Sequence, residues 1–141
     1  MIASIVVGTD GSETASEAVR RAGELARSVG GRVHVVSAYH PVSGAHASGE
    51  GSGAVGPDFE VEALLQKAAG ILRTRGVECE CYARKSGDPA DAVLRVAEEQ
   101  GADLIVVGNR GMQGGKRFLL GSVPDKISHH APCSVLIVRT T

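Results

Sequence analysis

Glycine, serine and cations crowd the segment "GNRGMQGGKRFLLGS", residues 108–122, directly behind the apolar run "DLIVV". Two residues separate Gly108 from Gly111, and nine separate Gly111 from the pair Gly121–Ser122. Without a Cβ, glycines after a strand let backbone N–H groups approach an anion closely. A helix starting at Ser122 would aim its free N–H groups and the positive end of its dipole at the same point. Phosphate is the natural occupant, with Arg110, Lys116 and Arg117 near it; the lesser reading of Lys116 and Arg117 is as solvated loop charges. Familiar phosphate loops do not fit. "GK" at Gly115–Lys116 has Arg110 where a Walker A loop needs its first glycine and Arg117 where it needs Ser or Thr. The other loop of unusual composition, "GTDGSE", offers Gly8 but then Asp10 where a dinucleotide fingerprint needs its second glycine. Asp10 could shape a turn with Gly11 or cap the following helix. Ser12 reads as a helix cap, because no motif places a base beside it.

The elements that must hold these loops alternate. "IASIVVGT", "RVHVVSAY", "DLIVVG" and "CSVLIVR" are nearly continuous β-branched or aliphatic runs, the pattern of strands covered on both faces in a parallel sheet. Residues 77–85, "VECECYARK", alternate instead, with Val77, Cys79, Cys81 and Ala83 opposite Glu78, Glu80 and Tyr82, as an edge strand would. Between them lie helical periods. Ala15, Ala18, Val19, Ala22, Leu25, Ala26 and Val29 form one apolar stripe over 14–29; Val61, Leu64, Leu65, Ala68 and Leu72 form another over 58–75, with Gly76 as its stop. A third helix opens at "GDPADAV" with Asp88 as N-cap and Pro89 first, running to about Gln100; a fourth covers about 122–130, before Pro132. Strict alternation calls for right-handed crossovers and a doubly wound α/β sheet with helices on both faces. Ligands of such sheets sit beyond the carboxyl ends of the strands where the winding reverses, which is where the first and fourth strands would bring the two loops together. Residues 41–57, "PVSGAHASGEGSGAVGP", are too poor in apolar bulk to pack and read as a mobile loop, either a lid or a surface insertion.

Composition narrows the classes. The 141 residues suit one domain, 1–141, with a full core. Fifteen basic and 16 acidic residues leave a net charge of −1, no electrostatic footprint for nucleic acid or an anionic membrane. With no Trp and 3% aromatics, stacking platforms for single strands are also unexpected. The start of the chain lacks a signal peptide pattern and three cysteines do not make a disulfide framework, so a cytoplasmic location is expected. Cys79 and Cys81 could in principle bind a soft metal, but lacking a second ligand pair they read as buried free thiols, and no metal site is expected. Neither the adjacent His129 and His130 nor His34, His40 and His46 carry ligand spacing.

G-x2-G-x9-G-[S/T] placed after the fourth strand resembles the signature of the universal stress protein family, in its ATP-binding branch. The resemblance spans the chain outside 41–57, through "VVGTDGSE", "GDPADAV", "ADLIVVGNRG" and "LGSVPDKISHHAPCSVLIVR". It implies an open five-stranded parallel sheet in the order 3-2-1-4-5, Rossmann-like, of the adenine nucleotide alpha hydrolase type, with nucleotide between the first and fourth strands. By the same resemblance Asp10 lies near the ribose, Gly8 and Thr9 flank it, Ala38 faces the adenine edge and Val107 lies beneath the base. Gly108, Gly111, Gly121 and Ser122 match the phosphate cradle and Val123 the residue after it. ATP, bringing Mg²⁺ with it, is the expected ligand, held by a stress-response sensor or reservoir with little or no turnover. AMP, ADP or cyclic AMP, a weak ATPase or phosphotransferase, and an adaptor with a vestigial pocket are the alternatives. The last strand, with Val135, Leu136, Ile137 and Val138 bare of charge, is an association hazard at a sheet edge, and a homodimer through it is expected.

Overall fold

The computed structural model describes residues 2–39, 57–109 and 120–140, and for 57–59 the backbone alone. Five strands, β1 (Ser4–Gly8), β2 (Arg32–Tyr39), β3 (Cys79–Lys85), β4 (Leu104–Gly108) and β5 (Ser134–Val138), alternate with α1 (Glu13–Val29), α2 (Pro57–Arg73), α3 (Pro89–Glu99) and α4 (Ser122–His130). All strand pairs are parallel and the order is β3-β2-β1-β4-β5, as the resemblance implied. The winding therefore reverses between β1 and β4, where Val6 pairs with Ile105 and Val7 with Val106.

Alternation along the central strands divides the apolar residues between two cores. Ile5, Val7, Val33, Val35 and Val106 face α1 and α2, against Val19, Ala22, Ala26, Leu65 and Leu72. Val6, Val36, Ile105 and Val107 face α3 and α4, against Val93, Val96, Ala97, Val123 and Ile127. Helix boundaries follow local chemistry. Ser12 caps α1 by accepting from the Ala15 N–H at 3.2 Å, and Asp88 caps α3 by accepting from Ala90 at 3.0 Å with Pro89 in the first turn. Gly76, at φ +72°, takes the left-handed conformation just past α2. Among the described residues no helix is long and apolar enough to cross a membrane.

Several sequence expectations need correction. The expected loop over 41–57 lies outside the described residues except Pro57, which already begins α2. The β3 ladder starts at Cys79, not Val77, although Val77 is buried. On one side of that strand Val77 and Cys79 pack against the α1–α2 core while Cys81 and Ala83 beyond them are exposed, and on the other Tyr82 packs against the α3–α4 core. An edge strand is roofed only in part on either face, so the large ring takes the available cover. Cys81 is thus not a buried thiol, and Cys79 is half-buried; burial still raises both thiol pKa values. In β5, Leu136 and Ile137 are 41% and 37% exposed, so this apolar run is not covered on both faces.

His34, unassigned in the sequence, is 3% exposed on β2. Its Nδ1 lies 2.9 Å from the Tyr82 hydroxyl, which donates to Glu80 Oε1 at 2.9 Å. A phenol has one proton to give, so Nδ1 carries the ring proton. Burial lowers the His34 pKa, Glu80 opposes that and Arg32 adds to it; burial and Glu80 push Tyr82 up to about 12. A histidine depressed below its ordinary 6.5 stabilises the fold fully above that pH and loses the contribution as pH falls. The hydrogen-bonded carboxylates of Glu17, Asp88, Glu99 and Asp103 are lowered, so their contributions are lost only as pH falls below about 5. The urea midpoint of the protein should therefore fall between pH 7 and pH 5, and less in His34→Gln, which keeps an N–H donor without titrating. Equal pH slopes for the two proteins would reject this.

Candidate nucleotide site at the β1–β4 crevice

The turn behind β1 is fixed by its own short polar side chains. The Thr9 N–H donates to Val36 O at 2.9 Å, prolonging the sheet, and Thr9 Oγ1 accepts from the Gly11 N–H at 3.0 Å. Asp10 Oδ1 accepts from the Ser12 N–H at 2.9 Å, an Asx turn feeding the cap of α1. Gly11 sits at φ +85°, and a Cβ on it would stand 3.1 Å from Leu64 Cβ of α2. Lys67 of α2 donates to Gly11 O at 2.9 Å. The turn and cap roles of Asp10 are thus occupied through Oδ1, and Oδ2 has no partner among the described residues.

β4 delivers the opposite wall. Val107 is buried in the α3–α4 core, and at Gly108 a Cβ would lie 3.3 Å from Thr140 Cγ2, so the close-passing chain itself favours glycine here. The Asn109 N–H donates to Val138 O at 2.8 Å, and the Gly121 N–H donates to Asn109 O at 3.0 Å, which draws the start of α4 to the exit of β4. Gly121 is the N-cap of α4 and supplies no side-chain acceptor, while Ser122 after it is exposed and Val123 is buried. The helix therefore presents its first N–H groups and its dipole without a capping oxygen. Lys126 anchors α4 to α3, meeting Asp88 Oδ2 at 2.6 Å and Asp91 Oδ1 at 3.0 Å, and holds the Asp88 carboxyl below the usual range.

Gly8, Thr9, Asp10, Val107, Gly108, Gly121, Ser122 and Val123 accordingly meet at the carboxyl ends of β1 and β4, with half-buried Ala38 two residues beyond Val36 on β2. Arg110, Gly111, Lys116 and Arg117 lie outside the described residues. Sequence reasoning missed Leu64, Lys67, Asn109 and Thr140. Among the described residues no cluster of three or more His, Cys, Asp or Glu is placed to hold a metal ion.

The profile of the Universal stress protein family matches residues 1–139. The chain belongs to this family. It is 35% identical over 142 residues to universal stress protein Rv1636 of Mycobacterium tuberculosis, covering 98% of this chain and 97% of that one. Among solved structures, a universal stress protein in complex with cAMP superimposes with a TM-score of 0.78 at 33% identity, over 99% of this chain and 98% of the other. A universal stress protein from Archaeoglobus fulgidus in complex with dAMP gives 0.72 at 30% identity, over 99% and 100%.

Proposed function

We propose that this universal stress protein binds ATP in the β1–β4 crevice and acts as a nucleotide-dependent regulator or sensor in the cytoplasm, with little or no turnover. The observation that carries the reading is the uncapped N-terminus of α4, tied by Gly121 to Asn109 beside the glycine-lined end of β4. An anion of phosphate type supplies what the missing cap does not. Asp10 Oδ2 receives the ribose hydroxyls, Gly8 and Thr9 form the wall, Ala38 and Val107 border the base, and Gly108, Gly111, Gly121, Ser122 and Val123 cradle the phosphates. Arg110, Lys116 and Arg117 supply positive charge there, and Mg²⁺ travels with the phosphates. The binding-only reading is supported by the hydroxyls of Thr9 and Ser12: each accepts a backbone N–H, and among the described residues no carboxylate, imidazole or amine is hydrogen-bonded to either hydroxyl.

The cAMP and dAMP complexes of relatives favour a second reading, in which a monophosphate is the resident ligand. One phosphate already satisfies the α4 N-terminus. Mass identification of nucleotide released from the purified protein separates the two. Asp10→Ala should weaken binding by about 1–3 kcal/mol, the worth of a hydrogen bond to a charged group. No retained adenine nucleotide, with no thermal shift on adding one, would overturn both readings. Steady ATP hydrolysis abolished by a site substitution would overturn binding without turnover.

A further inference from the structure

We propose that Asn109 is the positioning residue of the phosphate end of this site, and that Thr140, on the chain leaving β5, holds it in place. The inference rests on the nucleotide reading above. Asn109 is bonded to two separate segments, the end of β5 with the residues just past it and the start of α4. Its N–H donates to Val138 O of β5 at 2.8 Å, and its carbonyl accepts from the Gly121 N–H of the α4 cap at 3.0 Å. Its side-chain Oδ1 accepts twice from one residue, the Thr140 N–H at 2.9 Å and Thr140 Oγ1 at 3.1 Å. Two donors converging on Oδ1 fix the side chain, and with it the peptide whose oxygen receives Gly121. Thr140 is also the residue whose methyl meets the open face of Gly108. The chain behind the edge strand thereby sets where the α4 N–H groups stand relative to β4. The bonds of Asn109 go to Val138, Gly121 and Thr140 and not to Asp10, Ala38 or Val107, so its effect should be confined to the phosphate end.

That confinement separates positioning from general loosening. Calorimetric titration of the protein with ATP and with adenosine, which lacks phosphate, reads the two ends of the site independently. Asn109→Ala should weaken ATP about tenfold, the equilibrium equivalent of one hydrogen bond, and leave adenosine within about twofold. Thr140→Val keeps the shape and the backbone donor but loses the hydroxyl, and should weaken ATP by about threefold, with Thr140→Ser restoring it. If Asn109→Ala fails to fold, the Val and Ser variants decide. Equal weakening of ATP and adenosine, or folded variants with unaltered ATP affinity, would overturn the positioning role while leaving the nucleotide reading intact. A natural-sequence protein that binds neither ligand, or gains nothing from phosphates, would overturn the nucleotide reading and the positioning role together.

Discussion

Gly121→Val is expected to lower ATP affinity by about tenfold or more, because a branched side chain at the α4 cap blocks one or two charge-assisted N–H bonds worth about 1.5–3 kcal/mol each. The fold should survive it. Gly121 has φ −66° and ψ 165°, extended backbone that valine adopts freely, and exchanging a glycine cap for valine costs about 1 kcal/mol. Gly121→Ser gives an opposite-signed control. Pro124 has no N–H, so a serine oxygen at the cap can take only the Val123 N–H, and α4 gains the cap it lacks while the ligand loses that donor. Thermal stability should hold or rise as affinity falls. A purely structural glycine predicts the two quantities moving together, and a folded Gly121→Val protein with unchanged nucleotide affinity would refute the assigned cradle.

The readable part of this fold is the part written in period and local caps. Ile5 and Val6 go to opposite cores because adjacent strand residues must, and Asp88–Pro89 starts a helix through bonds spanning a few residues. The strand patterns likewise put the two glycine-containing loops behind β1 and β4, which do adjoin where the winding reverses. What escaped was whatever depends on distant partners. Lys67 reaches Gly11 across 56 positions and Asn109 reaches Thr140 across 31, and no periodicity marks either pair. Gly108 shows the same limit from another side: its spacing suggested phosphate, yet the Thr140 methyl also passes where its side chain would be. On β3 the alternation was visible but the extent of its cover was not: Val77 and Cys79 pack inward while Cys81 and Ala83 stay exposed, and Tyr82 packs against His34 on the opposite face.

The two sheet edges differ in a way that selects one of them for association. β3 carries Glu80, Arg84 and Lys85, with Arg84 held by Glu99 at 2.7 Å, and such charge blunts an edge. β5 pairs with β4 on one side and shows Leu136 and Ile137, one on each face, with no charge from Ser134 to Val138. We infer a homodimer in which β5 of a second copy continues the sheet about a two-fold axis, running antiparallel and covering both side chains. Each aliphatic side chain so covered is worth about 1.5–3 kcal/mol when fully buried, and a two-fold axis counts every one twice. Leu136→Asp or Ile137→Asp should then raise the dimer dissociation constant by well over about a hundredfold, since the lost burial is compounded by carboxylates brought into a shared strand pair. Both side chains are more than one-third exposed within the protomer, so its secondary structure should be retained and light scattering should report a folded monomer. Natural-sequence protein that already scatters as a monomer at micromolar concentration, or an Ile137→Asp variant that remains a dimer, would show that β5 is not the contact.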